Sequence, residues 1–272
     1  QNILITHGAH SPPEILSGPL YEEIKRHGQG LIDSFYSTIA IQTKQAEKYA
    51  KSLNIPSKRI PTGPLAWGRK RVPMDHTKFH SLKGKKVVLY ANTQKPRHSQ
   101  RFFLYEDLES FVKTLQDLIS SLKSSPDIFL VIKYRSTENL TKAGLEKLLP
   151  PTENYLIDES IHFLDWLTIA DMVISYSSTV IEEAIEYKRP VLLYSSTFRF
   201  SFVPSQMLHS ANELIIPKAV YSTQNPSQLT PIIRKILTLH ANNDRPEIFS
   251  EYTLAENERV SLDKLFLNET PL

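Results

Sequence analysis

Ser175, Tyr176, Ser177, Ser178 and Thr179 form an unbroken run of hydroxyl-bearing residues directly ahead of Val180-Ile181-Glu182-Glu183-Ala184. The apolar run Met172 to Ser175 reads as a short buried strand, and the segment from Val180 reads as a helix. A strand feeding a helix through such a turn aims unpaired backbone N–H groups and the positive end of the helix dipole at one spot, which suits a phosphate. Glu183 lies one turn into the helix, where a carboxylate can accept hydrogen bonds from vicinal hydroxyls such as those of a ribose. Ser and Thr also cap helices in every fold, so the same turn reads equally as an N-cap cluster.

Other residues invite chemistry with less context. His7 and His10 follow the apolar run Ile3-Leu4-Ile5, at the strand end where α/β sheets hold their ligand crevice. A histidine there has the right pKa range to deprotonate an acceptor hydroxyl, or it merely caps a helix. The loop from Asn92 through Thr93 to Arg101 carries Lys95, Arg97 and Arg101, a charge set that fits a diphosphate and equally a solvated loop. Asp158, Glu159, Ser160 and Ile161 follow a strand end; their backbone could meet a nucleobase, and their side chains fit a helix-capping run. The histidines are scattered, with none at i, i+4 spacing beside a carboxylate, and cysteine is absent, so no metal is expected and disulfides are excluded.

Positioning these groups falls to alternating strands and helices. Strands are expected at Asn2–Thr6, Thr38–Gln42, Lys86–Ala91, Ile128–Lys133, Asn154–Ile157, Met172–Ser175, Pro190–Tyr194 and Glu213–Ile216. Helices are expected at Thr43–Leu53, Glu106–Leu122, Thr137–Leu148, Phe163–Ala170, Val180–Tyr187, Pro226–Leu239 and Leu254–Phe266. Leu108, Phe111, Val112, Leu115, Leu118, Ile119 and Leu122 share one face at helical spacing. This alternation predicts parallel sheet covered on both sides. The basic, Gly/Pro-punctuated segment Pro61–Lys85 is the expected boundary, and the part before it shows only two strands.

The 272 residues suffice for two domains, and 40% hydrophobic with 22% charged residues is the balance of a globular protein with ample core. A net charge of +3 is too mild to argue for nucleic acid. No apolar run is long enough to span a bilayer. With only eight glycines, neither G-x-G-x-x-G nor the P-loop pattern occurs, so any phosphate site must use hydroxyls and helix N-termini. The chain opens on Gln1 and runs almost at once into a strand, as a piece of a longer protein would.

On these residues the chain resembles the C-terminal half of a GT-B glycosyltransferase, in particular the CDP-glycerol glycerophosphotransferases and CMP-sugar transferases of bacterial surface-polysaccharide synthesis. Lys86-Val87-Val88-Leu89-Tyr90-Ala91-Asn92-Thr93 resembles the family's opening strand and loop, "ILYAPT". Leu167 to Ile174 with Tyr176-Ser177-Ser178-Thr179 resembles "lliaDilIt" followed by "DYSS". Glu183-Ala184 with Lys188-Arg189-Pro190-Val191 resembles "EA…GKPV". Thr6-His7-Gly8 is similar to the "HG" at a late strand of the N-terminal domain, and Ile60-Pro61-Thr62-Gly63-Pro64 to its "vTGsP". The family's His-Pro pair should fall near Lys133-Tyr134-Arg135, where this sequence has no histidine. A second resemblance, over Tyr176–Leu192, is to the non-hydrolysing UDP-N-acetylglucosamine 2-epimerases, whose "DSGGIQEEA…GKPVL" matches Glu182-Glu183-Ala184.

The resemblance implies an α/β, GT-B-like fold: a doubly wound parallel sheet forming a Rossmann-like nucleotide domain, preceded by a partial second Rossmann-like domain. It divides the chain into 1–75, the end of an acceptor-side domain; 76–240, the donor domain; and 241–272, a C-terminal helix returning to the first domain. It implies transfer of a sugar or glycerol phosphate from a CMP-, CDP- or UDP-activated donor to a glycan acceptor. Alternatives are an epimerase-like enzyme and a degenerate, non-catalytic module. Donor phosphate is expected at Ser177, Ser178, Thr179, Lys133, Arg135 and Thr93, ribose at Glu183, and the base at Ser160 and Ile161. His7 is the expected catalytic base. No cofactor or metal is expected, and neither is a nucleic-acid partner. The implied location is the cytoplasm, including the inner face of the membrane through a missing segment or partner.

Overall fold

The computed structural model describes residues 3–5, 19, 22, 26, 38–52, 56–65, 75, 82–92, 106–198, 201, 203–242 and 245–261. The chain forms two units, Gln1–Lys70 with Phe249–Leu272 and, between them in sequence, Arg71–Ile248.

In the first unit, strands β1 (Ile3–Ile5), β2 (Thr38–Ile41) and β3 (Lys58–Pro61) make a parallel sheet in the order β1-β2-β3. Helix α1 (Lys44–Ser52) follows β2; the Thr43 hydroxyl accepts the Ala46 N–H at 3.1 Å and starts it. Ala46, Tyr49 and Ala50, at i, i+3 and i+4, bury one stripe against Ile39 and Ile41, and Leu254 completes the cluster. The late segment is tied to this unit by its backbone: Tyr252 C=O accepts from Lys44 N–H, and Val260 N–H donates to Pro61 C=O. Strand β3 is the third where the sequence suggested two. Lys58 and Arg59 are exposed and Pro61 has no N–H, so Lys-Arg-Ile-Pro shows strand chemistry only at Ile60, as an edge strand can.

The second unit holds a seven-stranded, all-parallel sheet. Its strands are β4 (Lys86–Asn92), β5 (Ile128–Tyr134), β6 (Tyr155–Ile157), β7 (Met172–Ser175), β8 (Val191–Leu193), β9 (Gln206–Met207) and β10 (Val220–Ser222). They lie in the order β6-β5-β4-β7-β8-β10-β9. Five of its helices are α2 (Leu108–Leu122), α3 (Lys142–Leu148), α4 (Phe163–Ile169), α5 (Val180–Glu186) and α6 (Leu229–Leu239). The apolar stripe of α2 packs with α3 and α6 against Val88, Tyr90, Leu130, Ile132, Ile174, Leu192 and Tyr221. Asp107 caps α2 by accepting the Ser110 N–H at 2.7 Å. Val87, Leu89, Val131, Val173 and Leu193, alternating with residues of that face, are buried as well, so the strands read as continuous apolar runs.

Strand order reverses between β4 and β7: from β4 the chain winds outward through β5 and β6, then returns to β7 and winds outward the other way. Parallel sheets open a crevice at the carboxyl end of such a switch point.

Two expectations need correction. Glu213–Ile216 is not a strand: Ala211–Glu213 is a 3-10 turn, Leu214 is buried, and Ile215 and Ile216 stand 80% and 64% exposed. The sheet is instead completed by β10 and β9, too short for a period to show in sequence. Leu254–Phe266 does not begin as an α-helix; Glu256–Glu258 is a 3-10 turn and Arg259 is extended, while residues 262–266 lie outside the described residues. No described helix is long and apolar enough to cross a membrane.

Candidate functional site

A cavity of about 320 Å³ opens at the switch point, lined by Ala91 and Asn92 of β4, Lys133 and Tyr134 of β5, Arg135, Phe163 of α4, Ser178 and Val180. Its size falls in the range of small-molecule sites. The register explains the convergence: Ala91 pairs with Lys133 and Asn92 with Tyr134, and β7 lies on the other side of β4. A larger hollow of about 840 Å³ beside α2 includes Glu109, Lys113 and Asp117, a net negative set of side chains that suits an anion poorly.

Of the residues expected from sequence, Lys133, Arg135 and Ser178 meet in this cavity. Thr179 stands at its edge as the first residue of the α5 cap, with φ −60° and ψ −16°, and its side chain caps nothing. The helix start is closed by backbone bonds from Ile181 to Ser178 and from Glu182 and Glu183 to Thr179. Thus the N-cap alternative for this hydroxyl turn is not what Thr179 does. Ser177 is fully buried and engaged within the chain, and Tyr176 packs on Phe198 with ring centroids 5.3 Å apart. His7 and Thr93 lie outside the described residues.

Glu183 is on α5 but not in the cavity wall. Half-buried, its carboxyl has no partner among the described residues, and burial pushes its pKa up to about 7. Arg189, from the loop that follows α5, turns the other way and donates to the carbonyls of Leu167 and Thr168 at 3.1 and 2.9 Å, closing the end of α4.

Ser160 and Ile161 belong to a turn organised by Asp158. Its Oδ1 accepts from the Ser160 N–H and hydroxyl, at 3.2 and 2.7 Å. Its Oδ2 accepts from Ile161 N–H, Trp166 Nε1 and Lys133 Nζ at 3.0, 2.7 and 3.2 Å. Burial opposes ionisation of Asp158, but the bonds from Trp166, Ser160, Ile161 and Lys133 outweigh it and hold its pKa down at about 2. With both N–H groups taken, Ser160 and Ile161 have only acceptors left for a nucleobase edge, their carbonyls and the Ser160 hydroxyl oxygen.

Asn92 is a cavity residue that sequence reasoning passed over. Its Nδ2 donates to Glu106 at 2.5 Å, and Glu106 accepts from the Ser195 hydroxyl at 2.8 Å, joining the ends of β4 and β8 to the start of α2. The carboxylate orients the amide and leaves Asn92 Oδ1 buried without a partner. An amide at the end of a central strand, ahead of a basic loop, was the sequence signal available. Tyr134 and Phe163 add ring surface to the walls.

No family model matches the sequence, and no curated protein does. Solved structures do. The chain is similar to a UDP-N-acetylglucosamine 2-epimerase from Listeria monocytogenes with 16% identity and a TM-score of 0.52, over 87% of this chain and 56% of that one. An epimerase from Neisseria meningitidis, bound to UDP-GlcNAc, matches with 18% identity and a TM-score of 0.52, over 93% and 64%. The UDP co-structure of MnaA from S. aureus matches with 13% identity and a TM-score of 0.52, over 82% and 56%. The chain thus spans less than two thirds of the length of each. The likeness establishes the fold, a GT-B-like α/β architecture with parallel, Rossmann-like sheets.

Proposed function

We propose that the chain binds a sugar nucleotide and belongs to an enzyme that transfers a sugar or glycerol phosphate from a CMP-, CDP- or UDP-activated donor to a bacterial surface polysaccharide. The observation that carries this reading is the switch-point cavity, where Lys133, Arg135 and Ser178 converge. In it the donor phosphates lie toward Ser178, Thr179 and Arg135, with Ser177 beneath, Lys133 beside them and Thr93 contributing from the loop. Glu183 takes the ribose hydroxyls, and the carbonyls of Ser160 and Ile161 face the base. His7 deprotonates the acceptor. A pyrimidine donor is the preferred class, on the resemblance of the Ser-Ser turn. The acceptor is a glycan at the inner face of the membrane.

A second reading, epimerisation of a UDP-N-acetyl sugar, is supported by Glu182-Glu183-Ala184 followed by Pro190-Val191-Leu192, which matches the epimerase pattern. Calorimetry and thermal shift with CMP, CDP, UDP and GDP test the shared part. A ligand at 100 times its Kd adds about 2.7 kcal/mol of stability. Ser178→Ala and Glu183→Ala should each weaken binding by about 1.5–3 kcal/mol without unfolding the domain. Incubation with UDP-N-acetylglucosamine, followed by NMR at the C2 proton, separates the two readings. No response to any nucleotide would leave a non-catalytic module.

A further inference from the structure

Two cations stand in the same cavity wall, yet their electrostatic situations differ. Lys133 Nζ lies 3.2 Å from Asp158 Oδ2, and the two side chains are only 13% and 8% exposed. Arg135 is exposed and has no ion-pair partner among the described residues. The five donors around Asp158 already saturate the roughly four lone-pair sites a carboxylate offers. Asp158 therefore has nothing left to give a ligand, but its negative charge remains beside Lys133. A phosphate approaching Lys133 would meet that charge at close range, whereas Arg135 has no such ion-pair partner among the described residues. Lys133 keeps N–H donors beyond the one spent on Asp158, and these suit an uncharged oxygen. Asn92 lines the same wall, but its unpartnered Oδ1 is buried away from the cavity space. Lys133 therefore asks for a neutral accepting group, as a sugar hydroxyl or a base carbonyl is.

We infer that Asp158 is a positioning residue that divides the cavity: by neutralising Lys133 it turns that lysine into a reader of a neutral, hydroxyl- or carbonyl-bearing moiety, and leaves anion recognition to Arg135. This rests on the nucleotide reading above and reassigns one residue within it. Asp158 itself never touches the ligand.

Pyrophosphate and CDP serve as probes in calorimetry on the full chain at two salt concentrations. Arg135→Met should weaken both by at least about tenfold, the scale of one charge-assisted hydrogen bond. Lys133→Met should weaken CDP similarly while costing pyrophosphate no more than about fivefold, the scale of the Asp158 charge it leaves uncompensated. Asp158→Asn should tighten pyrophosphate about fivefold, the order of one charge–charge contact in high dielectric, and steepen its salt dependence. It should also speed acylation of Lys133 by a limiting amine reagent, read by mass spectrometry without ligand. If Lys133→Met costs pyrophosphate as much as Arg135→Met does, the division is wrong. So is it if a folded Asp158→Asn leaves pyrophosphate binding unchanged. Should Asp158→Asn not fold, the comparison of Lys133→Met with Arg135→Met decides alone. Failure of the unaltered chain to bind either probe overturns the nucleotide reading together with this division, whereas normal binding with the wrong variant pattern overturns only the division.

Discussion

Glu183 is a described residue whose charge state changes near neutral pH. Its folded pKa near 7 lies above the ordinary value of 4.5, because burial penalises the carboxylate. The folded chain therefore holds a proton on Glu183 that the unfolded chain has already released between these values, and stability contributed by this site is lost as pH rises from about 4.5 to 7. Glu183→Gln, which never ionises, should gain on the unaltered chain across that window and plateau above it. The upper bound is about 3 kcal/mol, at 1.36 kcal/mol per pKa unit. Chemical denaturation at pH 4, 6 and 8 measures the gap; a gap independent of pH would mean that the carboxyl ionises normally. If Glu183 also holds ribose hydroxyls, nucleotide affinity should fall below pH 7 as the acceptor oxygen becomes protonated.

Between α5 and β8 the chain stores a local strain that sequence comparison hints at. Lys188 has φ 57°, the left-handed region, at the position where the resembling pattern carries glycine. Around it Lys188 N–H bonds to Ile185 C=O and Arg189 N–H to Ala184 C=O, the paired bonds of a Schellman motif. Lys188→Gly should stabilise the protein by about 0.5–1 kcal/mol, since a side chain in this conformation costs about 1–2 kcal/mol and glycine returns part of it as backbone entropy. Thermal melts decide, and a lower melting temperature would contradict the motif. The opposite case is Gly63, with φ +69° and Arg259 packed across it. A Cβ there would lie 2.6 Å from Arg259 Cδ, and that side chain is held by its bonds to Leu254 C=O. Gly63→Ala should cost about 1–3 kcal/mol, from overpacking and the positive φ together. Amide exchange in β2 and β3 should report the loss, with β4 and β5 unaffected.

On the scale of the whole molecule, the first unit is assembled from two distant stretches of chain. Leu254 sits in its apolar cluster at 4% exposure, and Tyr252 and Val260 bond to the backbone at Lys44 and Pro61. A chain ending at Ile248 should keep the seven-stranded unit folded and lose exchange protection in β2 and α1. Hydrogen exchange with mass spectrometry compares the two units in one experiment. Equal protection of β2 in the shortened and full chains would show that the late segment adds nothing to this core.

The sequence by itself determined the parallel α/β class, because short apolar runs alternate with amphipathic stretches of helical length, and the α2 stripe admits one packing face. It also determined the hydroxyl turn after β7 and the Glu183 position, since both follow from local spacing. Tertiary structure decided the rest. That Lys133, Arg135, Asn92 and Ser178 share one cavity depends on β4 lying between β5 and β7, a long-range pairing that no local window contains. The roles of Asp158 and Arg189 were equally hidden, because a buried charge declares its partner only when a distant element arrives to supply the hydrogen bond. Edge and terminal strands such as β3, β9 and β10 stayed illegible for a related reason. With two to four residues each, they are strands because a neighbour offers a ladder, and their own sequence carries too few residues to show a period.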